Sequence, residues 1–182
     1  MQPISKEDIE SMRKSGYDPI SIREAEEQLS RYERGLVICD QIRSAFEGVT
    51  LGNGVGMQQS IGLDDYEDED TLAKYRSYDE KQDWGKIPLS ALNRASGGLC
   101  YFDAEGMRFH LPAYLIADLK GEYHFGMAFN LTHLSDHCVS QFELLNPAQR
   151  QCIRAFLLHI ADDPDYEYDR DDIQRALESY WI

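Results

Sequence analysis

The sequence contains no run of about 20 apolar residues, the length a helix needs to cross a bilayer. Its first 15 residues, which include Lys6, Glu7, Asp8 and Glu10, carry no apolar segment of the kind that begins a secreted protein. These absences point to the cytoplasm. Cysteine is sparse: Cys39, Cys100, Cys138 and Cys152 lie far apart and form no Cys-x-x-Cys pair, which excludes a dithiol redox motif and a zinc ribbon. Free thiols in a reducing compartment are expected, with Cys39 and Cys152 near apolar helix faces. Internal repeats and Gly/Ser linkers are missing too, so the 182 residues read as one domain, long enough to bury roughly 70% of the unfolded chain's surface. Basic residues are scarce, 18 Lys and Arg against 33 Asp and Glu, for a net charge of -15. Such a field repels phosphate backbones and anionic headgroups, which excludes nucleic acid and membrane surfaces as partners, and it attracts a basic protein.

What is present is mostly helical periodicity. Ser5 can cap a helix over residues 5–14, and Asp18-Pro19 opens a second in which Ile22, Ala25, Leu29, Tyr32 and Leu36 form one stripe. That helix extends to about residue 47, or breaks into a hairpin near Gly35. The stripe is also a candidate homodimer interface. Residues 48–62, with Gly52, Gly54 and Gly56, read as a loop until a short helix starts at Met57. Further helices are expected over 71–81, 88–95 and 104–119, the last kinked or divided by Pro112. Residues 99–102 are a short strand or a buried connector. In 124–134 the alternation of Phe125, Met127, Phe129 and Leu131 predicts a half-buried strand. A core helix from Asn146-Pro147 carries Ile153, Phe156, Leu157 and Ile160, and a last helix carries Ile173, Ala176, Leu177 and Tyr180. The fold expected is mainly α, a single-domain helical bundle with at most one or two short strands.

Motifs of catalysis are absent or incomplete. His133 and His137 would share a face of a helix at a spacing that suits zinc, but Leu134 stands where a His-Glu-x-x-His metalloprotease has its glutamate, and no third ligand is marked. The acidic run 64–70 fails as a calcium loop, since Glu69 takes the place of the sixth-position glycine and Tyr75 that of the twelfth-position glutamate. A loop starting at Asp163 fails likewise, at Tyr168 and Gln174. Gly52-Asn53-Gly54-Val55-Gly56-Met57 has methionine where a dinucleotide loop needs its third glycine, and no Lys-Ser/Thr follows. No cofactor and no catalytic residue is assigned, and enzymatic activity is not the expected role.

Several motifs do resemble a known family. Gly52 to Gly56, Asp64-Asp65-Tyr66 and Phe109-His110-Leu111-Pro112-Ala113-Tyr114-Leu115, together with Asp79-Glu80, Asp83-Trp84, Ile87-Pro88, Phe102-Asp103 and Asn146-Pro147-Ala148-Gln149-Arg150, are similar to an uncharacterised bacterial domain of unknown function. The resemblance runs from about residue 42 to 160. It leaves 1–41 as an N-terminal helical extension and 161–182 as an acidic turn with a C-terminal helix. It implies a fold and no activity. Small acidic bacterial proteins of this kind resemble immunity or antitoxin partners by association.

Two functional expectations follow from the residues. The first is an acidic protein-binding module, an immunity or antitoxin-type inhibitor that captures a basic toxin or effector. Its carboxylates would be Asp64, Asp65, Glu67, Asp68, Asp70, Asp163, Asp165 and Asp169, with Tyr66, Trp84 and Tyr166 as aromatic anchors. Because Asp64, Asp65, Asp79 and Asp83 fall in motifs that can serve the fold, residues 162–172 are the cleaner candidate. The second is an enzyme or small-molecule binder with a site near Arg108, His110 and the 64–83 segment, in which Asp79 and Asp83 would line the pocket. Against it stands a bland reading in which Arg108 pairs with Asp65 or Asp83 to fix the packing.

Overall fold

Several helix starts in this chain, those at Ser5, Asp18 and Asn146 among them, coincide with side chains that accept the otherwise unpaired first N–H groups. In the computed structural model, which describes residues 4–182, Ser5 and Asp8 form a reciprocal capping box at the start of α1 (Lys6–Lys14). Asp18 accepts from the backbone of Ile20 and Ser21 at 3.0 Å each, and Pro19 takes the first position of α2 (Pro19–Ala45). Asn146 and Gln149 exchange the same pair of bonds ahead of α9 (Pro147–Ala161). Between these lie α3 (Met57–Asp64), α4 (Glu69–Tyr78), α5 (Leu89–Arg94), α6 (Ala104–Leu119), α7 (Ala128–Thr132) and α8 (Asp136–Gln141), and α10 (Arg170–Ser179) follows. Short 3-10 turns occupy Trp84–Lys86, Ser96–Tyr101 and Pro164–Tyr166. Among the described residues there is no strand, so the protein is all helical.

The centre of the fold is α6, which has 10 buried residues and is apolar around most of its circumference, as an enclosed helix must be. It packs against α2, α5, α8 and the Trp84–Lys86 turn. In α9, Ile153, Phe156, Leu157 and Ile160 are all buried, each contributing roughly 1.5–3 kcal/mol of transfer free energy, and the helix packs on α2 and α10. The chain's last residues join this core. Trp181 is buried and donates its indole N–H to the carbonyl of Leu131 at 2.8 Å. The Arg150 guanidinium lies over the Tyr180 and Trp181 rings, and Arg154 donates to the carbonyls of Leu177 and Trp181. This connected core runs from Cys39 to Trp181, whereas α1 and the first half of α2 lie beside it.

Some local expectations change. Gly35 does not break α2; a Cβ there would approach His159 Nε2 to 3.3 Å and the Leu119 carbonyl to 3.6 Å, so glycine lets α2 close on α9 and the end of α6. Pro112 does not divide α6. Residues 99–102 are no strand: they fall in the Ser96–Tyr101 turn and its end, where the carbonyls of Leu99 and Phe102 accept the Gln141 side-chain amide at 2.9 and 2.8 Å. The strand predicted over 124–134 is absent for a definable reason. Gly126 takes φ +69°, the Met127 N–H donates to Asp118 Oδ2 at 2.7 Å, and α7 begins at Ala128. Met127 and Leu131 are buried while Phe125 and Phe129 are exposed. The alternation thus consists of two sets spaced four apart, one facing in and one out, which is helical spacing read as period two. In the α2 stripe Ala25 is buried, Ile22, Leu29 and Tyr32 are half-buried, and Leu36 is exposed, with α1 packed on α2.

Candidate functional site

The α3–α4 hairpin and its approach concentrate the residues marked by the sequence. The Gly52 to Gly56 loop is glycine-rich because the start of α6 and the Asp79 side chain crowd it. A Cβ on Gly54 would lie 2.5 Å from the Gly106 nitrogen, and one on Gly56 would lie 1.9 Å from Asp79 Oδ2. Asp103 Oδ1 clamps the loop to the start of α6 by accepting from Val55 at 2.9 Å and Gly106 at 2.8 Å. The first turn of α3 is no open anion site, because the buried Asp79 carboxylate already accepts from Gln58 at 2.6 Å and Gln59 at 3.4 Å. Burial pushes the Asp79 carboxyl up, against the pull of those two bonds. Glu80 Oε1 in turn accepts the N–H groups of Lys81, Gln82 and Asp83, which holds its carboxyl below the usual range.

A cleft of about 290 Å³ opens between the start of α3, the end of α4 and α6. Met57, Ile87, Pro88 and Ala91 supply its apolar lining, and Gln58, Tyr78, Asp79, Glu80, Lys86 and His110 its polar groups. His110 is buried, stacked face to face on Phe102 at 4.3 Å, with Phe109 edge-on at 5.0 Å. Its Nδ1 lies 2.7 Å from the Gly106 carbonyl, which can only accept, so Nδ1 carries the proton. Burial lowers its pKa to about 4, and the ring is neutral at neutral pH.

Of the pocket expected near Arg108, His110, Asp79 and Asp83, the structure brings His110 and Asp79 together and leaves the others aside. Arg108 is half-buried, and among the described residues it pairs with no carboxylate, neither Asp65 nor Asp83. Asp83 caps the Trp84–Lys86 turn through Gly85 at 3.0 Å and pairs with Lys86 at 3.6 Å. Trp84 is half-buried and donates to the Phe46 carbonyl at 2.9 Å. Glu80, Gln58 and Lys86 were not singled out from sequence as pocket residues; the matched Asp79-Glu80 pair was the one signal for the first of them.

At the far end of the hairpin, Asp64, Asp65, Tyr66, Glu67, Asp68 and Asp70 are all exposed. Asp68 caps α4 through Thr71 at 2.8 Å, and hydrogen bonding to Asp64 pushes the Tyr101 phenol up. None of these carboxylates forms an ion pair among the described residues. Tyr66 takes φ +57° and is 90% exposed. The backbone explains the conformation: Glu67 N–H donates to the Gly62 carbonyl at 2.9 Å and Tyr66 N–H to that of Leu63 at 3.2 Å, the closing pair of a helix end that normally carries glycine at this position.

The second acidic segment is tied into the fold. Asp163 pairs with Arg31 at 3.7 Å and caps the turn through Asp165 at 3.0 Å. Tyr166 donates to Asp118 Oδ1 at 2.5 Å, and a Cβ on Gly126 would come within 3.0 Å of the Tyr166 hydroxyl. Burial pushes the Asp118 carboxyl up to about 6 and the Tyr166 phenol well above its usual range. Asp165 is exposed and Asp169 is half-buried at the start of α10.

His133 and His137 lie in different elements, His133 ending α7 and stacked on Phe129, His137 in α8 with its Nε2 2.8 Å from the Cys100 carbonyl. Among the described residues no three His, Cys, Asp or Glu side chains gather as a metal site would require. Cys39 and Cys152 are buried free thiols, Cys100 an exposed one. Among the described residues no helix is long and apolar enough to cross a membrane.

The enclosed α6, the capped α3–α4 hairpin and the His110 cleft define an all-helical protein whose chemistry-bearing residues belong to the shared core and not to the N-terminal helices. The chain belongs to a family of unknown function, DUF6714, whose model matches residues 36–182. No curated protein and no solved structure matches it. The match starts within α2 and continues past residue 160, so it takes in the second acidic segment and α10.

Proposed function

We propose that the protein is an acidic protein-binding module of bacterial cytoplasm, an immunity or antitoxin-type inhibitor that captures a basic toxin or effector with the turn between α3 and α4. The observation that carries this reading is Tyr66, an almost fully exposed tyrosine at φ +57° ringed by carboxylates that no cation of the described residues neutralises. Nothing in the fold uses that side chain. A glycine would close the helix at lower cost, and residues kept in unfavourable backbone conformations cluster at binding sites. Unpaired carboxylates steer a basic partner and speed its association, and a central tyrosine supplies a low-entropy anchor.

The test is co-purification from the producing cells of the wild-type protein and of a variant neutralised by D64N, D65N, E67Q, D68N and D70N; the asparagine side chain that replaces Asp68 keeps an oxygen to cap α4. The wild type is expected to retain a basic protein whose association rate falls steeply between about 50 and 200 mM salt. The variant, folded to the same melting temperature, is expected to lose that protein. Equal retention by the two, or a partner indifferent to salt, overturns the reading.

A further inference from the structure

We propose that the cleft beneath α3 and α4 binds the guanidinium or ammonium head of a small organic cation or side chain, with Nε2 of His110 as the acceptor on its floor. The site is distinct from the acidic turn, which lies at the other end of α3, roughly 12 Å away at 1.5 Å per residue. Its chemistry follows from how His110 is held. The Gly106 carbonyl accepts the Nδ1 proton, so Nε2 presents a lone pair and no hydrogen. Stacking on Phe102 prevents the ring from turning to find another partner. Among the described residues Nε2 has no hydrogen-bond partner, yet the unpartnered side-chain atoms shut off from solvent are only Arg76 Nη1 and Tyr123 Oη. The bare nitrogen therefore opens into the cleft that His110 lines.

A group that meets this nitrogen must donate a hydrogen bond, which excludes carboxylates and fully ionised phosphates. A free carboxylate oxygen in the lining favours a cationic donor, against the Arg76 charge that reaches both His110 and Asp79 and the Lys81 charge that reaches Asp79. Asp79 and Glu80 line the same cleft; both Asp79 oxygens are engaged by the start of α3, and Glu80 uses only Oε1 on the backbone, which leaves Oε2 for a ligand. Lys86, the one cation of the lining, pairs with Asp83 and is mostly exposed. A metal ion is not the fitting occupant, because no third ligand side chain gathers there among the described residues. At about 290 Å³ the cleft is at the small end of ligand sites and suits a charged head with a short apolar stem against Ile87 and Ala91.

The experiment is a titration of the protein with n-propylguanidine, followed by the imidazole 15N resonances and by calorimetry, with inorganic phosphate and acetate as controls. The expected result is an upfield move of the His110 Nε2 resonance that saturates with n-propylguanidine and is absent with both anions. Affinity should fall about tenfold or more in His110→Phe, which keeps the stack and removes the acceptor. Glu80→Gln, which keeps Oε1 for the backbone, should weaken binding several-fold while leaving the melting temperature in place. N-acetyl-arginine methylamide distinguishes the source: tighter binding than n-propylguanidine assigns the site to an arginine side chain of a protein, weaker binding to a free small cation. An unmoved Nε2 resonance at saturating n-propylguanidine, or equal affinity in His110→Phe, overturns the proposal, and the first of these needs no variant to fold.

Discussion

The two acidic segments have similar compositions and opposite relations to the fold. In residues 162–172, Asp163 is paired with Arg31, Tyr166 is bonded to Asp118, and Asp172 contacts Arg175. In residues 64–70 no carboxylate meets a cation among the described residues: Asp68 caps α4, Asp64 meets the Tyr101 phenol, and the aromatic residue among them points into solvent. A run of negative charge therefore says little about where a partner docks until each carboxylate's partner is known. The segment that looked freer by sequence is the one that fastens the C-terminal helix, and the segment lying in family motifs is the one left unpaired.

The comparison breaks most visibly at Asp118. Asp118→Ala removes the acceptor of two groups at once, the Tyr166 hydroxyl and the Met127 N–H, and should cost about 2–4 kcal/mol, read as a fall in the urea midpoint. Neutralising Asp64, Glu67 and Asp70 together should move the same midpoint by no more than about 0.5 kcal/mol. Similar losses from the two changes would erase the distinction between the segments.

A pH series sharpens it further. Asp118 has a folded pKa of about 6, above its unfolded value, so the native state binds its proton more tightly and stability from this group falls as pH rises from about 4 to 6. His110, lowered to about 4, works the other way: the unfolded state holds the proton more tightly, and stability from this group rises with pH from about 4 to 6.5. Each contributes at most roughly 3 kcal/mol, and Asp79 and His159 shift in the same two directions respectively. The wild type should therefore show a nearly flat profile between pH 4 and 6.5. Asp118→Asn should become more stable with rising pH, and His110→Gln less stable. Parallel profiles in the two variants would remove the assignment.

What the sequence made legible was whatever has a local signature. Ser5, Asp18 and Asn146 marked helix starts, and Ile153, Phe156, Leu157 and Ile160 marked a buried face, because capping and periodicity act within one or two turns. The strand misassigned at 124–134 shows the limit of that logic: with four apolar residues two apart, only Gly126 and the bond from Met127 to Asp118 decide the backbone. The cleft was half legible. His110 and Asp79 were singled out, but their meeting depends on α3 packing against the turn after α4 and on the Gly54 and Gly56 approaches, which are contacts between distant segments. That Asp163 and Tyr166 are engaged was invisible, since their partners Arg31 and Asp118 are 132 and 48 positions away in sequence.

A smaller effect is expected at Arg31. Arg31→Ala removes the half-buried partner of Asp163 and should destabilise by about 1 kcal/mol, with a loss that shrinks in high salt. Lys86→Ala, which removes the exposed partner of Asp83, should cost less than half of that. If the two losses were equal, the Arg31 bridge would be no more than a surface pair, and the second segment's attachment would rest on Asp118 and Tyr166 alone.

The smallest effect has the opposite sign. Tyr66 closes α3 in the left-handed region, where a side chain costs about 1 kcal/mol relative to glycine and gains nothing back here because the ring is in solvent. Tyr66→Gly should therefore stabilise the protein by about 0.5 kcal/mol, the backbone relief slightly exceeding the extra freedom glycine gives the unfolded chain. The same change should weaken capture of the basic partner, because it deletes the proposed anchor while keeping every carboxylate. A variant that is more stable and binds less would separate the two roles at one residue. If Tyr66→Gly instead lowers the melting temperature, the tyrosine serves the fold, and the turn between α3 and α4 loses the observation that singles it out from the rest of an acidic surface.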